Sequence, residues 1–330
     1  MRRTVIQGEA KELNLEDLIQ EEDMVVTVSH NGYIKRNPIS IYRAQRRGGR
    51  GKTGMTTREE DFVEAMFIAS THSYMLVFSS SGKLYWLRVH EIPQVGRVAR
   101  GQAISNLINM SSTDRIAAVL AVKTFEEGKF IFMATKHGVV KKTELMAFAN
   151  PRSGGIIATN IDEGDALISA RLTDGVQDIL IGTRQGQSIR FHENDVRAMG
   201  RVARGVRGIT LGKDDAVVGM EALAIDAPVL TVTERGYGKR TGLDEYRIQS
   251  RGGRGIITIK TNDRNGPVVG ITQVTDMDDV MIVTDGGKVI RSRAKEVSVI
   301  GRNTQGVRLI ALDEGERVVS FAKLGEREED

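Results

Sequence analysis

ILIGTRQGQSIR, residues 179–190, is an apolar β-branched run, then a turn closed by Gly186, then a second short run ending in a cation. Apolar runs of this length bounded by a glycine turn are the signature of a β-hairpin, because the tight turn needs a positive φ that glycine adopts without strain. Five more copies of the pattern stand in the chain: VVTVSHNGYIKR from Val25, MLVFSSSGKLYW from Met75, FIFMATKHGVVKK from Phe130, VLTVTERGYGKR from Val229 and VMIVTDGGKVIR from Val280. Their turn glycines, Gly32, Gly82, Gly138, Gly186, Gly236 and Gly287, are separated by 50, 56, 48, 50 and 51 residues. A second glycine follows each at an offset of 19, 19, 17, 19, 19 and 19, namely Gly51, Gly101, Gly155, Gly205, Gly255 and Gly306. Beyond it, each repeat offers further strand-like runs such as GIITIKT and then RIAAVLAV, AVVGMEAL or PVVGITQV.

A period near 50 residues marks an array of like units, each too small to bury its own apolar face. With about four strands per unit and helical periodicity confined to the leader around LNLEDLIQEED, the expected fold is all-β: six blades arranged radially in one ring. A solenoid with open ends is the competing architecture. The expected boundaries are an acidic leader over 1–23, a single domain over 24–324, and a short acidic tail over 325–330. The blades are expected near 24–70, 71–122, 128–173, 178–223, 227–274 and 279–324.

The formal net charge of +4 conceals a polarised distribution. Residues 1–23 and 311–330 each hold seven acidic and three basic side chains, which leaves +12 on residues 24–310. A basic body suits a polyanionic partner. Aromatics make up only 5%, too few for stacking on unpaired bases to be the main binding mode, so duplex nucleic acid is favoured. The chain has no cysteine, which excludes disulfides and thiolate metal sites. No apolar stretch is long enough to span a bilayer, and the start MRRTVIQGEAKEL lacks a secretory signal; the expected location is the cytoplasm.

The densest basic cluster is Gln45, Arg46, Arg47, Gly48, Gly49, Arg50, Gly51 and Lys52. Glycines let backbone amides approach phosphates, and arginine forks match their oxygens. YRIQSRGGRG in the fifth repeat aligns with YRAQRRGGRG in the first, and GRVARG stands in both the second and the fourth. The recurring loops contribute Arg97, Arg100, Arg152, Arg201, Arg204, Arg207, Arg251, Arg254 and Arg302 as candidate DNA contacts. The cations after the hairpin turns add Lys35, Arg36, Lys83, Arg88, Lys141, Lys142, Arg190, Lys239, Arg240, Arg291 and Arg293, about half of which are expected on DNA. Equivalent loops in a ring form a track rather than a patch, which matters because bending 20–30 base pairs by 40–90° costs roughly 1–6 kcal/mol and needs many phosphate contacts.

Enzyme motifs fail on inspection. The P-loop pattern ending at Gly51-Lys52-Thr53 has Arg46 where glycine is required, and the GxGxxG match at 49–54 has no helix pattern after it. The five histidines, His30, His72, His90, His137 and His192, lack ligand spacing, so no metal site and no catalytic constellation is expected.

QRRGGRG at Gln45 to Gly51 is identical to the glycine-rich box that marks the C-terminal domain of DNA gyrase A subunits, and GEAKELNLEDLIQEEDMVVTVSHNGYIKR resembles the segment that enters that domain. The likeness runs from about residue 8 to the end. It implies a six-bladed β-pinwheel, in which neighbouring blades exchange strands, wrapping duplex DNA around its perimeter with one handedness. It further implies that the wrap presents a DNA segment for ATP-driven passage that leaves negative supercoils, with Gln45 to Gly51 needed for wrapping rather than cleavage. None of the six tyrosines follows an arginine, as the family's cleaving tyrosine does, so the chain is expected to be an isolated, monomeric domain without catalytic activity. ATP and magnesium would be used elsewhere in a bacterial heterotetramer, whose other members are the N-terminal part of the A subunit and the B subunit, and this domain would need no cofactor. The alternatives are the C-terminal domain of a topoisomerase IV A subunit, in which the box is degenerate, and a propeller serving as a protein-interaction scaffold.

Overall fold

The computed structural model describes residues 18–29, 31–39, 63–96, 99–111, 113–286 and 289–324. The expected box, Gln45 to Lys52, and Arg97 lie outside the described residues, as do nearly all of the leader and the tail.

Each repeat builds two long strands of a hairpin and a third strand that returns beside the first. In the fourth repeat these are Asp178–Thr183, Gln187–His192 and Val217–Leu223. The turn is closed by chemistry that recurs around the molecule: the Gly186 amide donates to the Thr183 carbonyl at 3.0 Å, and the Gln187 amide donates to the Thr183 hydroxyl at 3.2 Å. Serine or threonine holds this place in every repeat (Ser29, Ser79, Thr135, Thr183, Thr233 and Thr284). Where the third strand meets that residue the register shifts, as between Gly182 and Thr183, a bulge that adds twist to the sheet.

The fourth strand of each complete sheet comes from the next repeat. Ile256–Ile257, just beyond the second glycine of the fifth repeat, pairs with Gln187 and Ser188 of the fourth. Gln102–Ala103, Ile156–Ile157, Val206–Arg207 and Val307–Arg308 do the same for the first, second, third and fifth sheets. The sixth sheet has three strands among the described residues. Among the described residues, the second to sixth repeats each place four strands, and each of the first five sheets draws its fourth strand from the next repeat.

The third strands line the centre. Each packs against the third strand of the next blade, and Val318–Leu324 of the sixth packs against Val63–Ser70 of the first. The blades thus follow one another in a closed cycle, which decides against the open solenoid. The apolar cores lie between blades rather than within them. Phe132, Ala134 and Val140 of the third blade pack with Ile179, Ile181, Ile189, Phe191 and Met220 of the fourth, all almost fully buried. Each large apolar side chain so buried contributes about 1.5–3 kcal/mol. Among the described residues the longest α-helix is a single turn, Ile104–Leu107, and no helix is long and apolar enough to cross a membrane.

Candidate nucleic-acid interface

The loops that precede the donated strands, residues 99–101, 150–155, 200–205, 250–255 and 301–306, each lie across the second strand of the preceding blade, on the outer edge of the ring. This placement explains the fixed offset of the second glycine. Gly205 has φ +97, and a Cβ there would stand 2.4 Å from the Val140 carbonyl oxygen. Gly255, with φ +75, is pressed in the same way on the Ser188 carbonyl, at 2.3 Å. Glycine is the residue that tolerates both conditions.

Several expected contacts stand on this perimeter. Lys83, Arg152, Arg204, Arg207 and Arg254 are exposed. The Arg204 side chain is 75% exposed and pairs with Asp162 at 3.2 Å, a surface pair weak enough to exchange for a phosphate. Arg100, Arg201, Arg251 and Arg302 are half-buried. Arg100 stacks on the Tyr33 ring at 3.6 Å, and Arg251 donates to the carbonyls of Asp195 (2.8 Å) and Arg207 (3.0 Å). Arg302 donates to the Ile257 carbonyl at 3.0 Å. Arg293 is exposed on the last blade, whereas Arg291 is exposed but paired with Asp279. Arg88 is tied to its own blade, over the Tyr74 ring and bonded to the His72 carbonyl at 2.7 Å.

Two exposed arginines absent from the expected set, Arg197 and Arg247, occupy one position three residues ahead of the loops at 200–205 and 250–255. The sequence signal for this position is the match of Arg247 with Arg43 in the alignment of YRIQSRGGRG with YRAQRRGGRG.

The cations after the hairpin turns need correction. Arg36, Lys142, Arg190 and Arg240 stand four residues beyond their turn glycines, on the second strand, and reach into the following blade. Arg36 donates from Nε to the Ile92 carbonyl (2.8 Å) and from Nη2 to the His90 carbonyl (3.1 Å). Burial holds its guanidinium below the usual arginine range. Lys142, buried, pairs with Glu193 at 3.2 Å and donates to Asn194 Oδ1 at 2.8 Å. Arg190 donates from one nitrogen to the carbonyls of Leu243 (3.0 Å) and Tyr246 (3.2 Å), and pairs with Asp178 at 2.8 Å. Arg240 donates to the Val297 carbonyl at 2.8 Å and pairs with Asp276. In the second blade the place belongs to Trp86, whose indole N–H donates to the Phe148 carbonyl at 2.9 Å. These side chains clamp blade to blade. Backbone bonds run beside them, such as Gln249 N to the Arg190 carbonyl at 2.8 Å.

One residue earlier, Lys35, Lys141 and Lys239 are buried at 0%, 1% and 0% exposure. Their ammonium groups bond to backbone of the next blade, that of Lys141 also to the Ala158 carbonyl of its own repeat, and do not face solvent, so neither they nor the clamps are placed to contact DNA. Burial drives this outcome: a charge out of water must find partners, and carbonyl oxygens supply them.

What remains is a six-bladed, strand-exchanged β-propeller whose outermost loops carry exposed arginines at repeating positions. The chain belongs to the family described as "DNA gyrase C-terminal domain, beta-propeller", which matches residues 23–70, 73–123, 129–174, 177–224, 227–275 and 278–324. The DNA gyrase A subunit of Salmonella typhimurium is 49% identical over 329 residues, covering 100% of this chain and 38% of that protein. Its counterpart in Staphylococcus aureus is 48% identical over 334 residues, with the same coverage. The chain thus spans less than two-fifths of the length of these relatives. Among solved structures, the C-terminal domain of DNA topoisomerase IV superposes with a TM-score of 0.80 at 26% identity, covering 93% of this chain and 94% of that one. The DNA gyrase A C-terminal domain superposes with a TM-score of 0.72 at 27% identity, covering 92% and 99%.

Proposed function

We propose that this chain binds duplex DNA along its perimeter without reading its sequence and bends it into a chiral wrap, as the DNA-wrapping part of a gyrase A subunit. The observation that carries the reading is positional: exposed Arg152, Arg204, Arg207 and Arg254 occur at or beside one loop that repeats from blade to blade. Arg197 and Arg247 extend that line. Phosphate contacts spread along an arc resist the recoil of a stiff duplex, where one patch would not.

Gln45 to Lys52 are proposed as the first station on that arc. In the whole protein the wrap would deliver a DNA segment for ATP-driven passage, leaving negative supercoils. The partners in that work would be the N-terminal part of the A subunit, together with the B subunit, in the bacterial cytoplasm. Cleavage, ATP hydrolysis and magnesium use are assigned to those other parts. The topoisomerase IV reading has the higher TM-score on its side, but the intact QRRGGRG sequence and the 49% identity to a gyrase chain favour gyrase.

Ligation of nicked circles in the presence of the domain measures the writhe it traps. Trapped positive writhe, lost when Arg46, Arg47 and Arg50 are all replaced by alanine while binding persists, is the expected result. Equal writhe from that triple variant removes the role given to the box. Affinity insensitive to salt would instead favour a protein-interaction scaffold.

A further inference from the structure

The position three residues beyond each turn glycine reads Lys35, Tyr85, Lys141, Ile189, Lys239 and Ile290 around the ring, so lysine occupies alternate blades. The perimeter loops alternate in step. Behind the lysine blades come GRVARG at 96–101, GRVARG at 200–205 and GRNTQG at 301–306. Behind the Tyr85 and Ile189 blades come NPRSGG at 150–155 and SRGGRG at 250–255, which place glycine inside the loop (Gly154 in one, Gly252 and Gly253 in the other) rather than at its first position.

The contacts differ accordingly. Lys141 Nζ donates to the carbonyls of Ala158 (2.8 Å) and Arg201. Lys239 Nζ donates to the carbonyls of Gly301 and Arg302, each at 2.6 Å, and to the Thr304 hydroxyl at 3.2 Å. Lys35 Nζ donates to the Ala99 carbonyl at 2.9 Å. Glu245, paired with Arg302 at 3.6 Å, is the carboxylate that acts on Lys239, from beyond contact distance. A neighbouring side chain also meets the third carbonyl in one loop of each type, Asn160 Nδ2 at Val202 (2.5 Å) and, in SRGGRG, Thr210 Oγ1 at Gly252 (2.7 Å), where the Thr210 amide adds a bond to Gly253 (2.8 Å). There the floor is apolar, with Gly253 close over Ile189.

We propose that Lys35, Lys141 and Lys239 are positioning residues for DNA wrapping, each drawing inward the carbonyls of the next blade's perimeter loop so that its arginines face the duplex. The inference rests on the wrapping function proposed above. A loop whose carbonyls are held from below cannot turn them outward toward phosphate, where they would repel it. The cation below also adds positive potential under the track. The perimeter is therefore built from two interchanging parts, and each anchor suits only its own loop.

That pairing supplies the test. Lys141→Ile reproduces the apolar anchor beneath a loop of the wrong type. Hydrogen exchange of the Ala203 and Arg204 amides, measured without DNA, is expected to accelerate roughly tenfold, the loss of about one hydrogen bond's worth of protection. Writhe trapped by the Lys35→Ile, Lys141→Ile, Lys239→Ile triple variant is expected to fall by about half or more, since three of six stations lose their geometry. Adding Gly200→Ser, Val202→Gly and Ala203→Gly to Lys141→Ile, which turns the loop into SRGGRG, is expected to restore slow exchange. Unchanged exchange in Lys141→Ile overturns the proposal, as does full writhe from a folded triple variant. Should Lys141→Ile fail to fold, Lys141→Gln, which keeps a donor, is read by the same exchange measurement and must slow the loop relative to Lys141→Ala. If the native chain traps no writhe, the wrapping function fails, while the exchange result still decides whether lysine holds the loop.

Discussion

Gly205 and Val140 are in such close apposition that the Val140 carbonyl oxygen occupies the place where a side chain on Gly205 would begin, 2.4 Å from the ideal Cβ. The two residues belong to neighbouring repeats, so the contact is a seam between blades. Gly205→Ala is expected to cost about 1–2 kcal/mol from the left-handed backbone alone. Displacement of the donated strand Val206–Arg207 adds to that. Gly200, five residues earlier, has open space around it, and Gly200→Ala should leave denaturation midpoints unchanged. Equal midpoints for the two variants would contradict the seam.

Arg190 and Arg254 both stand toward the outer edge of the fourth sheet but differ in duty. Arg190→Met removes one partner of a half-buried pair and two carbonyl bonds, and should lower unfolding free energy by about 3 kcal/mol. Arg254→Ala should leave stability within about 0.5 kcal/mol and reduce the slope of log affinity against log salt by about one. Chemical denaturation and salt titration of duplex binding, run on both variants, separate the two duties.

Burial lowers the ammonium pKa of Lys141 and of Lys239 to about 8, from an ordinary value of 10.5; Arg201 acts in the same direction on Lys141, while on Lys239 Glu245 opposes the shift and Arg302 adds to it. The unfolded chain keeps these protons up to pH 10.5, whereas the folded chain releases them from about pH 8. Between those values the unfolded state binds more protons, so these two groups make stability rise with pH. The native protein should therefore gain melting temperature between pH 8 and pH 10.5 relative to a Lys141→Met, Lys239→Met double variant. A difference that stays flat or falls across that window would count against charged, buried lysines.

The six-fold repeat, the hairpin turns and the perimeter loops were legible because each is written in glycine at fixed intervals, and glycine spacing survives where other residues drift. Strand exchange was not legible from the residues themselves: Val206–Arg207 looks the same whether it pairs within its own repeat or with Val139 and Val140 of the one before. The duty of the hairpin cations is not legible from a single repeat, because lysine and arginine on a strand beside a turn usually face water. A comparison between repeats carried the corrective signal. Tyr85 and Ile189 hold the place of Lys141 in neighbouring blades, and a place filled by such residues is interior. Likewise Trp86 in the place of Lys142 and Arg190 points to a donor that reaches across a seam rather than to a phosphate contact.

The donation of each outer strand to the preceding sheet has a consequence for synthesis. As the chain leaves the ribosome, Gln187 and Ser188 present an open edge until Ile256 and Ile257 emerge. Every blade that accepts a strand passes through this exposed interval in turn, so translation rate and chaperone access bear on all of them alike. A deletion that removes one whole repeat lets the next donor serve the previous acceptor. A cut between two repeats strands an edge instead, and the liability of such a fragment is self-association rather than mere loss of size.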